Sequence, residues 1–327
     1  LLSRSVSLTW GKMMSTKSVC AMFSLLVLAS QAHAGLTIIA EAEVPTHRVK
    51  DYRTDIDREF GEPSLELTQS ASSIYSAANA YGYARPGVLK AYAHAATSSE
   101  LSSSASASAF AMWEFSATLS NAALAGKKGQ FTIRNHFDYA PSTSIGTYPG
   151  SGTLAASGHF QFDSIFGART SLGLSYADFL QTYSWDNQGN ATWLTSHVVD
   201  DANGVRQEPG FGMQELVVDF VWGEPILFHQ MVGAACSVYE TDEIDSTAGC
   251  FVDSTHSSYW GGLSNVTANG VAVPDYAIVT DAGIDLRQSL LPVPEPESWA
   301  MMVLGGLLIA GVGGHRRKKD SLIAASC

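Results

Sequence analysis

From Ala105 to Leu119 every odd position is apolar: Ala105, Ala107, Ala109, Ala111, Trp113, Phe115, Ala117 and Leu119. The even positions between them are polar, except Phe110 and Met112. Gln130 to Tyr139 repeats the pattern, with Phe131, Ile133, Phe137 and Tyr139 on one face and Thr132, Arg134, His136 and Asp138 on the other. Leu216, Val218, Phe220 and Trp222 alternate in the same way. A period of two is the mark of a half-buried antiparallel strand, because successive side chains leave a strand on opposite sides. The Ala/Ser-rich stretch 98–109 runs into this alternation and reads as an edge strand rather than a flexible linker.

Turn chemistry falls between the alternating runs. Asp186-Asn187-Gln188-Gly189-Asn190 separates two aromatic-rich runs, Tyr176–Trp185 and Ala191–Val199, and predicts a hairpin. Asp201-Ala202-Asn203-Gly204 and Ala268-Asn269-Gly270 predict further turns. No long run of helical period interrupts this part of the chain. Many short strands joined by Gly-rich turns predict an all-β fold, an antiparallel β-sandwich of jelly-roll-like winding.

The two ends follow other rules. Met13 or Met14 is the expected initiator, so residues 1–12 read as a non-native or mis-assigned start. Lys17, the apolar run Cys20–Ala29 and the small residues Ala32 and Ala34 then form a secretory signal over 13–34, with Gly35 as first mature residue. At the other end Val293-Pro294-Glu295-Pro296 leads to Trp299. The sixteen residues from Trp299 to Gly314 carry no charge. As a transmembrane helix they would span ~24 Å, just short of a ~30 Å hydrocarbon core. Trp299 suits one interface, and Arg316, Arg317, Lys318 and Lys319 fix the cytoplasmic side. Five glycines weaken the span, which suits a temporary hold better than a permanent anchor. Residues 320–327 follow as a short cytoplasmic tail.

This order of Pro294-Glu295-Pro296, Trp299-Ala300, short Gly-rich span and basic cluster resembles the PEP-CTERM sorting signal over residues 293–319. The resemblance implies a Gram-negative bacterium that makes extracellular polysaccharide. It further implies export through the Sec translocon, a transient stay in the inner membrane with the body periplasmic, and removal of the tail by an exosortase. The product would end at the cell surface or outside the cell. On that reading Val293, Pro294, Glu295 and Pro296 are the recognition element, and the two prolines hold the backbone around Glu295 extended. The body, residues 35–292, is similar to a recurrent PEP-CTERM ectodomain in Gly87–Ala93, Ser104–Phe110, Asp219–Ile226 and the Gly262–Gly283 region. That likeness implies a β-sandwich and a destination but no activity. The body lacks the regular Thr-x-Thr ranks of an ice-matching face, and ice binding is not inferred.

Composition narrows the remaining choices. The chain has 327 residues, 46% hydrophobic and 15% charged, with net charge −12, which argues against disorder and against a nucleic-acid partner. Residues 35–292 hold 12 Lys+Arg and 28 Asp+Glu, a charge of −16, which favours solubility. Cys236 and Cys250 are the only cysteines between the two ends. In an oxidising compartment they most simply form one disulfide.

Motifs of chemistry are sparse. The histidines of the body are scattered, and no metal-binding spacing, nucleophile elbow, P-loop or dinucleotide fingerprint occurs. Two acidic groups, Asp51/Asp55/Asp57/Glu59 and Glu240/Asp242/Glu243/Asp245, could ligate a structural Ca²⁺ through Asp55, Asp57, Asp242 and Asp245, or simply form solvated surface. No other cofactor is expected. Tyr183, Trp185 and Trp193 flank the 186–190 turn, and Tyr259-Trp260 precede two glycines. Trp185, Trp193, Tyr259 and Trp260 are candidate glycan contacts, core packing being the alternative for each. The sequence thus predicts a non-enzymatic surface or matrix protein associated with exopolysaccharide or biofilm. The alternatives are a lectin-like module, with or without calcium, and a secreted hydrolase.

Overall fold

The structure, a computed structural model, describes residues 35–45, 50–59, 64–99, 103–138, 140–145, 156–186, 190–207, 212–240 and 246–291. The chain falls into two compact units, Leu1–Leu290 and Leu291–Cys327, and the fold concerns the first. Its first strands are β1 (Gly35–Pro45), β2 (Lys50–Glu59), β3 (Leu65–Ser72), β4 (Ser76–Arg85), β5 (Val88–Ser99) and β6 (Ser103–Ser120). Then come β7 (Lys128–Phe137), β8 (Ala140–Ile145), β9 (Ala156–Thr170), β10 (Gly173–Trp185), β11 (Ala191–Asp201) and β12 (Gly204–Gln207). The last are β13 (Met213–Val221), β14 (Pro225–Glu240), β15 (Ser246–Ala268), β16 (Val271–Ala272) and β17 (Ala277–Thr280).

Two antiparallel sheets pack as a sandwich. The first runs β12-β11-β10-β9-β14-β6-β1-β2, with β17 also paired to β6. The second runs β13-β7-β15-β5-β4-β3, with β8 and β16 also paired to β15. The alternation read from the sequence is the burial observed: the odd positions of β6 from Ala105 to Leu119 face the core, as do Phe131, Ile133 and Phe137 on β7. Leu216, Val218, Phe220 and Trp222 do the same. The two aromatic-rich runs pair as expected, β10 with β11, in antiparallel register from Tyr176↔Asp200 to Trp185↔Ala191. At Ala268-Asn269-Gly270 both Asn269 (φ 49°) and Gly270 (φ 78°) take the left-handed conformation that such a turn requires.

One expectation is corrected. The Ser/Ala stretch is no edge, because β6 lies between β14 and β1 in the interior of the first sheet. Its alanines explain this place. Ala107, Ala109 and Ala111, with Ala40 and Ala42 beside them, face Ala78, Ala80, Ala91, Ala93 and Ala95 of the second sheet, all buried. Single methyl groups let the sheets approach, so Cα atoms of β5 and β6 come within 8 Å, where stacked sheets ordinarily sit ~10 Å apart. A Cβ on Gly82 would fall 2.4 Å from Ile38 Cγ2, which requires glycine there.

Toward β9, β14 and β15 the core becomes aromatic. Trp260 is fully buried, with Trp113, Phe115, Phe166 and Phe228 at ring-centroid distances of 5.5–6.0 Å, and its Nε1 donates to Leu286 O at 2.9 Å. Beside this cluster lies a polar knot that ties the sheets together. Asn135 Nδ2 donates to Gln214 Oε1 (2.7 Å), while Gln230 Nε2 donates to Asn135 Oδ1 and Ser258 Oγ (both 2.9 Å). Gln214 Nε2 donates to Ser164 O (2.8 Å). A one-residue slip of any of these strands would leave buried amides unpaired, so the knot disfavours alternative registers.

Candidate functional site

Cross-strand pairing builds one row across the inner face of the first sheet: Ala42, Ala107, Cys236, Phe160, Tyr183 and Trp193, in order from β1 to β11. The row starts in the closed, alanine-packed half of the sandwich and ends in solvent. Phe160 is buried, Tyr183 is half-buried and Trp193 is 57% exposed. Trp193 lies 4.5 Å from the Tyr183 ring and 5.5 Å from that of Phe160 (centroid to centroid), edge-on to the latter. These rings form an aromatic shelf. Next to it on the same face Gln181 Nε2 donates to Thr195 Oγ1 at 3.1 Å, so amide and hydroxyl groups border the rings.

The shelf is held from beneath and from its end. Trp185 stacks on Tyr183 at 5.6 Å and 29°. Its indole occupies the space over Gly158, where a Cβ would come within 2.5 Å of the ring. The hairpin is clamped by its own turn residues: Asn190 N and Nδ2 donate to the two Asp186 carboxylate oxygens at 2.8 and 2.7 Å. Asp186 N donates in return to Asn190 O at 3.0 Å. Cys236, next to Phe160 in the row, is joined to Cys250 by a disulfide with Cα atoms 5.8 Å apart. The pair expected from the sequence therefore exists, and it staples β14 of one sheet to β15 of the other.

The aromatic candidates separate. Trp193 is available to a ligand, and Tyr183 beside it partly so. Trp260 is the centre of the core cluster and Trp185 is only 3% exposed, so neither can present a ring face at the surface. Their indoles fill gaps over small residues and among phenylalanines. Tyr259 points away from the core on the outer face of the second sheet, half-buried. β-Bulges in β15 between Trp260 and Gly262 and between Ser264 and Thr267 set this stretch, and a Cβ on Gly261 would lie 2.8 Å from Arg134 Cβ.

Of the other candidates, Gly35 opens β1. Asp55 and Asp57 stand in β2 opposite Ala40 and Ile38, with only their backbone described. Ala32, Ala34, Asp242, Asp245, Val293–Pro296, Trp299 and Arg316–Lys319 lie outside the described residues. Among the described residues no group of three or more His, Cys, Asp or Glu is placed to hold a metal ion. No helix there is long and apolar enough to cross a membrane.

Sequence reasoning missed two buried titratable sites on the outer face of the first sheet. Asp163 and Asp178 are diagonal neighbours across the β9–β10 pair, close to Met231 and Ile165. Burial, and next the charge of Asp178, push the Asp163 carboxyl up to about 7, so it keeps its proton far above the usual carboxylate range. Burial, and next the charge of Arg169, push the His229 imidazole down to about 4. That ring rests on Gly167, where a Cβ would come within 2.4 Å of it. In sequence these were polar residues at outward strand positions, with no signal that the face around them would be buried.

No family model, no curated protein and no solved structure matches this chain.

Proposed function

We propose that the chain is an exported surface or extracellular-matrix protein with a structural or adhesive role in association with exopolysaccharide. On this reading the sandwich, wound in jelly-roll fashion, is the working part. A single C-terminal transmembrane helix holds it at the inner membrane until an exosortase cuts near Val293–Pro296. The observation that carries the polysaccharide contact is the Tyr183–Trp193 shelf, with one ring 57% exposed and its neighbour 4.5 Å away. Sugar rings have apolar C–H faces and polar rims. They can stack on such rings while their hydroxyls reach an amide–hydroxyl pair like Gln181–Thr195. A mostly exposed tryptophan on a supported platform contributes little to the core and much to an interface. The Cys236–Cys250 disulfide agrees with an oxidising, extracytoplasmic compartment.

Fractionation of producing cells tests this reading. The protein is expected in the extracellular matrix fraction, with an intact mass that starts at Gly35 and lacks Arg316–Lys319. Recovery of the full-length chain from the inner membrane, basic cluster attached, would overturn it.

A further inference from the structure

On β4 and β5 the usual placement of large and small side chains is inverted. Their inward positions are mostly small, Ala78, Ala80, Gly82, Ala84, Ala91, Ala93 and Ala95 with Leu89 as the large exception, all buried, and their rings point out. One outer row runs Thr68, Tyr81, Tyr92, Asp253 across β3, β4, β5 and β15. The rows on either side bring Tyr83 next to Lys90, and His94 next to Phe251. Tyr92 and Phe251 meet edge-to-face at 5.3 Å, and Lys90 Nζ sits 5.8 Å from the Tyr83 ring centroid. All these rings are partly exposed. Since small side chains close the sandwich beneath most of them, the core does not explain the tyrosines, and partly exposed rings gathered on one face are open to a contact.

The chemistry of the patch selects its partner. The tyrosine rings carry hydroxyl tips and are interleaved with polar groups, and burial first, then the neighbouring Glu66 carboxylate, push the Tyr81 hydroxyl up to about 12. A greasy partner would strip water from these groups without replacing their hydrogen bonds. Polyanions are disfavoured by the carboxylates of Glu66 and Asp253 on a chain of net charge −12. A neutral polymer with flat apolar faces and many hydroxyls satisfies both conditions. Resting on the polysaccharide reading of the shelf, we infer that the outer face of β4, β5 and β15, centred on Tyr81 and Tyr92, is a second, separate polysaccharide-contact surface. One molecule then holds two chains, which suits a matrix cross-linker.

Soluble extracellular polysaccharide purified from the producing cells, mixed with the exported protein, tests the inference. The wild type is expected to precipitate the polymer. A Tyr81→Thr/Tyr92→Thr variant, with threonine retaining strand propensity, is expected to bind through the shelf without precipitating it. Its apparent affinity for the long polymer should fall by about tenfold or more as two-point attachment is lost. Precipitation by this variant equal to wild type overturns the inference and leaves the shelf standing. Should the variant not fold, tyrosine nitration mapped on the wild type decides: Tyr81, Tyr83 and Tyr92 are expected to be protected by the polysaccharide, and equal nitration with and without it overturns the inference. A wild-type dimer in the ultracentrifuge that the variant converts to monomer would assign the face to a second copy of this chain instead. No polysaccharide binding by the wild type would overturn both this inference and the reading it rests on.

Discussion

Replacement of Trp260 by alanine is expected to destabilise the fold by about 3–5 kcal/mol, the range for deleting a large aromatic side chain from a packed core. Trp260 packs on Trp113, Phe115, Phe166 and Phe228 at once. These rings come from β6, β9 and β14 of the first sheet, whereas Trp260 belongs to the second. The substitution would open a cavity between the sheets and leave Leu286 O without its indole donor. Backbone held by antiparallel pairing on both sides cannot collapse into such a hole. The denaturant midpoint at unchanged m-value measures the loss. A loss below about 1 kcal/mol would mean that Trp260 is not the keystone of the core.

Removal of the disulfide, by Cys236→Ala/Cys250→Ala or by reduction, is expected to cost about 3 kcal/mol. The cross-link closes a loop of sequence separation 14, and the chain-entropy estimate for a loop near that length gives this figure. The far-UV spectrum of the folded protein should not change, because the ladders β14–β6, β14–β9 and β15–β5 do not depend on the bond. Equal unfolding midpoints with and without reductant would show that the staple adds nothing to the sandwich.

Local alternation was enough to find β6, β7, β13 and the β10–β11 hairpin, because a half-buried strand writes its two faces directly into the sequence. Pairing partners are not written there. Alternation alone reads the Ser/Ala run as a strand but wrongly as an edge, since alternating methyl groups are what a central strand needs where two sheets close tightly. Asn135, Gln214 and Gln230 occupy core positions that a hydrophobic pattern assigns to apolar residues. They are tolerated because each finds partners 28–123 residues away, which no local window contains. Period two also tells which side a ring takes but not whether that side is covered. Trp185 and Trp193 flank one turn and share the inner face, yet the first is sealed over Gly158 and the second stands beyond the cover of the second sheet. On β4 and β5 the pattern misleads outright, since hydropathy alone cannot say that alanines fill the inside and tyrosines the outside.

Trp193 offers a direct probe of the shelf. The sequence has seven tryptophans; Trp10 and Trp299 lie in the segments expected to be removed, and Trp113, Trp185, Trp222 and Trp260 are buried. Tryptophan emission during titration with the extracellular polysaccharide therefore reports on one exposed ring. A saturable shift is predicted for the wild type. Trp193→Ala should abolish the shift and weaken binding at the shelf about tenfold or more, equivalent to ~1.4 kcal/mol or above. Unchanged wild-type emission while polysaccharide demonstrably binds, or undiminished affinity in the Trp193→Ala variant, would contradict the account.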